Sequence, residues 1–146
     1  MKLGTRMRYG TRAILELAQH YGGGPISLGE IAQSQELSEK YLETLLSRLR
    51  SAGLVSAQRG PKGGYGLAKP PEQISVRDVF DVLEGQEPYV FCTADPSSCH
   101  RWATCITQGV WERMYRASMQ VLESTTLADL VAQGQAECAT ALTYHI

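Results

Sequence analysis

No uninterrupted apolar run in this chain of 146 residues approaches the ~18 residues that a membrane-spanning helix needs. The opening residues also lack the basic-then-apolar layout of a secretory leader, so a cytoplasmic protein without a membrane partner is expected. Cysteine is missing until position 92, and then Cys92, Cys99, Cys105 and Cys138 follow. Without a secretory leader, structural disulfides are not the expected use of those thiols. There is no internal repeat, no low-complexity segment, and neither a nucleophile–base pairing nor a phosphate-cradling loop, so an enzyme is not expected. A composition of 43% hydrophobic and 20% charged residues excludes disorder and collagen-like structure, and the length suits one domain, or one domain with an added dimerisation element.

Lysine is absent from the second half: Lys2, Lys40, Lys62 and Lys69 are the four in the chain. Residues 1–71 carry ten Lys/Arg against five Asp/Glu, a balance of +5, whereas residues 72–146 carry four against ten, a balance of −6. The formal net charge of −1 therefore conceals a basic half joined to an acidic half. Such a division points to one end that meets a polyanion, although an ordinary solvated face explains lysines equally well.

Spacing of apolar residues predicts a helix from Met7 to Tyr21, with Ala13, Ile14, Leu17 and Ala18 on one side and Gly22–Gly24 ending it. Ser27 and Glu30 form a capping-box pattern that opens a short helix to about Gln35. After a turn at Glu36-Leu37, Ser38 caps a third helix that buries Leu42, Leu45, Leu46 and Leu49 and ends at Gly53. Leu54–Arg59 and Tyr65–Ala68 read as two strands around a glycine- and proline-rich turn. A helix pair followed at once by a hairpin is a winged helix-turn-helix, a mainly α fold with a small β-hairpin wing. Ser75 opens a helix that stops at Gly85; 86–103 read as a loop; Thr104–Ser124 read as a long helix with Ile106, Val110, Met114, Ala117 and Val121 in line. That stripe is expected to be completed by a second copy of the chain, the alternative being packing on the amino-terminal domain. Thr126–Leu130 open one more short helix. The organisation expected is a DNA-binding winged helix over 1–85, a cysteine-containing sensor loop over 86–103, a dimerisation helix with its short successor over 104–131, and a tail over 132–146.

If the third helix is a recognition helix, its first turns enter the major groove. Tyr41 and Thr44 then meet base edges, methyl groups or phosphates, and Lys40, Arg48 and Arg50 neutralise phosphates. Glu43 either accepts from a cytosine amino group or excludes other sequences; an exposed pair with a nearby arginine is the alternative. Arg59 and Lys62 flank the hairpin tip, from which an arginine can enter a narrow minor groove, or simply remain solvated on a plain turn.

The spacing Cys92-x6-Cys99-x5-Cys105 matches neither the paired thiols of zinc ribbons nor a disulfide oxidoreductase motif. Three thiolates entering a helix suit an iron–sulfur cluster, whose fourth ligand must come from elsewhere, with His100 the adjacent candidate. Cys138 reads as a small buried hydrophobe.

Several stretches resemble one known family. They are Met1-Lys2-Leu3 with Arg8-Tyr9, Lys40-Tyr41-Leu42-Glu43, Leu49–Val55, Thr126–Leu130 and above all Arg59-Gly60-Pro61-Lys62-Gly63-Gly64-Tyr65. Together with the three spaced cysteines they are similar to the IscR/NsrR family of bacterial winged-helix transcription regulators. The resemblance covers residues 1 to about 131. It implies a homodimer formed through the long helix, a pseudo-palindromic operator in double-stranded DNA, and a cluster of two or four irons held by Cys92, Cys99 and Cys105. It also places Ser38, Tyr41, Glu43 and Thr44 on the recognition helix and Arg59 on the wing. The chain departs from the pattern at the fourth ligand, carrying Gln108 where one branch has histidine and Arg8 where the other has aspartate. The expectation is a repressor or activator controlled by cluster state, nitric oxide or redox. Its rivals are a metal-free thiol switch on the same fold and a winged helix that binds protein.

Overall fold

The computed structural model describes residues 3–85, 92 and 95–143, with side chains to 137. Met1 and Lys2 of the opening motif, most of the expected sensor loop between 86 and 94, the side chain of Cys138 and residues 144–146 lie outside the described residues. In chain order the helices are α1 (Thr5–Gln19), α2 (Leu28–Gln35), α3 (Glu39–Ser51), α4 (Val76–Leu83), α5 (Gln108–Ser124) and α6 (Leu127–Thr143), with strands β1 (Val55–Gln58) and β2 (Gly64–Leu67) between α3 and α4. This is the winged helix-turn-helix expected from the sequence.

Short-range chemistry sets the helix starts. Ser27 Oγ accepts from the Glu30 backbone N–H while the Glu30 carboxylate accepts from the Ser27 N–H, and Ser75 with Asp78 repeats the arrangement at α4. The Ser27 hydroxyl, which donates to Glu30 Oε2 at 2.6 Å, and then the Ser27 N–H hold the Glu30 carboxyl below its ordinary value. Ser38 Oγ accepts from the Tyr41 N–H and so starts α3. Helix α1 has no side-chain cap of its own; the Glu84 carboxylate, at the end of α4, accepts from the Met7 N–H at 3.2 Å instead.

One core joins these elements. Ile14 and Leu17 of α1, Ile31 of α2, Leu42, Leu45, Leu46 and Leu49 of α3, Val55 of β1, Val79 and Leu83 of α4 and Leu127 of α6 are all buried within it. Gly10 allows the tight crossing of α1 on α4, since a Cβ there would lie 2.2 Å from Leu83 Cδ1. The strands pair antiparallel with Val55 opposite Leu67 and Gln58 opposite Gly64. Ile26 adds a bridge on the other edge of β2, its N–H and C=O bonded to Tyr65 at 2.9 and 2.8 Å. Any side chain at Gly64 would run into the Ile26 carbonyl, so that edge closes only on glycine.

Two expectations change. The long helix begins at Gln108 rather than Thr104, because 102–104 form a tight 3₁₀ turn. The helix after Thr126 is not short: it runs 17 residues to Thr143, taking in residues 132–143 of the expected tail. Ala132, Ala136, Ala139 and Ala141, with no proline between them, favour its continuation past the part that packs on the core.

Candidate nucleic-acid interface and cysteine segment

Four buried leucines fix which side of α3 faces outward. Lys40, Glu43, Thr44, Ser47, Arg48 and Ser51 lie opposite them, at helical spacing, and line an open groove of about 880 Å³ closed at one side by Val82 of α4. All six are exposed. The row spans roughly 16 Å at 1.5 Å per residue, the reach of a helix across a DNA groove. Thr44 Oγ1 donates to the Lys40 carbonyl at 3.1 Å, which leaves its lone pairs and methyl outward. Ser38 is exposed at the start of the row, and its hydroxyl is committed to the cap.

Tyr41 and Arg50 stand apart from the other expected contacts. Tyr41 is half-buried against the core, and its ring meets Tyr9 of α1 edge-on, with centroids 6.3 Å apart. Arg50 is exposed but does not line the groove; with Arg48 it stands in the last turn of α3, where cations complement the negative helix end. Arg59 and Lys62 are exposed at the end of β1 and in the turn that follows, which the Gly63 N–H closes on the Gly60 carbonyl at 2.9 Å.

Helix α1 brings two arginines, which sequence reasoning did not single out as contacts, beside the start of α3. The guanidinium carbons of Arg8 and Arg12 lie 6.0 and 5.7 Å from the Tyr9 ring centroid, on the ring that touches Tyr41. The one signal available was the Arg8-Tyr9-x-x-Arg12 spacing, which puts both arginines beside one turn of helix.

The cysteine segment precedes α5 in the chain. Cys92, Cys99 and Cys105 are free thiols, each half-buried. The Trp102 N–H donates to the Cys99 carbonyl at 3.0 Å, and its own carbonyl accepts from the Cys105 N–H at 3.3 Å, so Trp102 ties the two cysteine backbones together. Cys105 Sγ is 3.4 Å from Thr107 Oγ1 just ahead of α5. That hydroxyl first, then the backbone N–H groups of Thr107 and Gln108, hold the Cys105 thiol below its ordinary value. His100 is exposed, and no group of three His, Cys, Asp or Glu side chains is gathered for a metal among the described residues. The thiols are the right kind of donor for a cluster, and Cys99 and Cys105 lie on one short stretch of tight turns ahead of α5.

Helix α5 buries Met119 alone. Ile106 ahead of it is 96% exposed, and Val110, Met114 and Val121 are 48%, 38% and 63% exposed along one side, with Trp111 at 38%. No helix among the described residues is long and apolar enough to cross a membrane.

Comparison with known proteins agrees with this architecture. The family described as Rrf2, iron-dependent transcriptional regulator, matches residues 3–133. The protein rrf2 of Nitratidesulfovibrio vulgaris is 44% identical over 131 residues, which is 90% of this chain and 87% of that protein. The structure of CymR, the global cysteine regulator of B. subtilis, superposes with a TM-score of 0.77 at 43% identity, covering 91% of this chain and 98% of its own. That of T. potens IscR superposes with a TM-score of 0.76 at 42% identity, covering 92% and 88%. Such relatives are regulators and not enzymes, and this chain belongs with them to the Rrf2 family of transcriptional regulators.

Proposed function

We propose that the chain is a cytoplasmic, homodimeric transcriptional regulator, a repressor or an activator, that binds a pseudo-palindromic operator through α3 and the β1–β2 wing. The observation that carries this reading is the exposed polar row from Lys40 to Ser51, backed by four buried leucines and followed directly by a hairpin bearing Arg59 and Lys62. Two such units, joined along the apolar side of α5, meet two half-sites about one helical turn apart. Selection of duplexes from a random-sequence pool, followed by affinity measured against salt, tests it. Lys40→Ala and Arg59→Ala are each expected to reduce the slope of log affinity against log salt by about 0.9. A wild-type protein that enriches no duplex would overturn the reading.

Control of operator binding is assigned to Cys92, Cys99 and Cys105. An iron–sulfur cluster on these thiols is supported by the family's description as iron-dependent and by the donor type. When bound, such a group supplies sensitivity to iron supply, oxygen and nitric oxide. Protein purified without oxygen is then coloured, contains iron and sulfide, and loses both with Cys92→Ala. A metal-free thiol switch is favoured by a different observation, the hydrogen-bonded Cys105 thiol ahead of α5. Colourless, iron-free protein that loses operator binding reversibly with peroxide would select the thiol switch and reject the cluster.

A further inference from the structure

Helix α2 has no basic residue in its last turn, so its terminal carbonyls and negative end lack a cation of their own. Arg12, 23 residues earlier on α1, provides one: its Nη2 donates to the Gln35 backbone carbonyl at 3.0 Å and its Nε to Gln35 Oε1 at 2.9 Å. The Gln35 amide nitrogen in turn donates to the carboxylate of Glu16, which is buried one turn further along α1. Side-chain oxygen, side-chain nitrogen and backbone carbonyl of this one glutamine are thus all held by α1.

Gln35 is the last residue before the turn that aims α3. Glu36 follows in the left-handed region at φ 54° and ψ 45°, a conformation that residues other than glycine keep only where their surroundings enforce it. Beyond the turn, Tyr41 in the first turn of α3 rests edge-on against Tyr9, and Arg12 lies over that same Tyr9 ring. Arg12 is therefore tied to both arms of the turn, to Gln35 directly and to Tyr41 through Tyr9.

We propose that Arg12 is a positioning residue that sets the direction of the recognition helix by holding the α2–α3 turn from both sides, and that it is not a phosphate contact. The proposal rests on the DNA-binding reading above. A planar fork is needed to bond carbonyl and amide oxygen at once; a lysine ammonium keeps the charge and cannot reproduce that geometry.

The test uses the full chain and the duplex that the wild-type protein enriches from a random-sequence pool. Arg12→Lys and Arg12→Gln are each expected to weaken binding by about tenfold, the loss of a pair of charge-assisted hydrogen bonds at the surface. The slope against salt stays at the wild-type value in both, and affinity of Arg12→Lys for an unrelated duplex is unchanged. Gln35→Ala, altering the same contact from its other end, gives a similar loss, and combining it with Arg12→Gln adds little. Wild-type affinity in Arg12→Lys, with a slope lower by about 0.9 in Arg12→Gln, would make Arg12 a phosphate contact and overturn the proposal. So would full additivity of Arg12→Gln with Gln35→Ala. If the wild-type protein enriches no duplex, the DNA-binding reading falls first and this proposal with it.

Discussion

Ser75 and Thr126 face each other across an isolated antiparallel bridge, and each is also the capping residue of a helix. The Val76 N–H donates to the Thr125 carbonyl at 2.8 Å and the Leu127 N–H to the Ile74 carbonyl at 2.9 Å. Helices α4 and α6, whose first residues Val76 and Leu127 are 51 positions apart in the chain, therefore start from one antiparallel bridge. Ile74 and Leu127, the core residues beside the bridge, are fully buried. Loss of the Ser75 hydroxyl removes an N-cap bond, and Ser75→Ala is expected to destabilise the fold by about 1 kcal/mol. Thr126→Ala acts in the same direction, and because both residues share the bridge, the double variant departs from the sum of the singles in chemical denaturation.

Acid should loosen the same caps. Asp129 is held below its ordinary carboxyl value by the Thr126 backbone N–H and then its hydroxyl, and Glu30 is lowered by Ser27. A folded-state value lower than the unfolded one stabilises the protein above the unfolded carboxyl range, and the gain disappears as pH falls through the folded value. Thermal melting is thus expected to decline on the acid side of pH 4 to 5, and less steeply in Ser27→Ala and Thr126→Ala than in the wild type.

Cys105 should react at lower pH than an ordinary thiol. Its alkylation rate, followed by mass spectrometry against pH, is expected to rise earlier than that of a free cysteine. Thr107→Val removes the principal hydrogen bond and should move the profile back toward the ordinary value.

Charge placed on the bare side of α5 should separate the subunits. Met114→Glu or Val110→Glu puts a carboxylate among Ile106, Val121 and Trp111, and sedimentation is expected to report a dimer for the wild type, as proposed above, and monomers for either variant. Such monomers should keep weak binding to half-sites and lose the tight operator complex.

How much of this was legible in the chain depended on whether the pattern was local. Leu42, Leu45, Leu46 and Leu49 recur at helical spacing and all four are buried, so α3 and its outward face could be read directly. Ser27 with Glu30 and Ser38 ahead of α3 were readable for the same reason, since a cap involves residues three apart. Bonds across long separations left no such trace. Nothing in the sequence announces that Glu84 caps α1, that Ile26 pairs with Tyr65, or that Arg12 reaches Gln35. Lys40, Glu43, Thr44 and Arg48 of the groove row were expected from period, whereas Ser47 and Ser51 were not singled out, and Arg50, expected beside them, sits off the groove because the turn of the helix carries it toward the flank. Spacing of Cys92, Cys99 and Cys105 indicated sulfur chemistry without indicating whether the thiols converge, because two tight turns, not a helical period, govern that stretch.

Leu127 enters the chain well after the last of the three cysteines and yet is packed in the same interior as Leu45 and Leu49 under the outward face of α3. A fragment ending near Gly85 would keep every residue proposed to touch a duplex and still leave an empty seat in that interior. A displacement of α6 therefore reaches the interior that backs α3 through this one side chain, so the proposed sensing half and the proposed DNA-contacting half share a single piece of furniture.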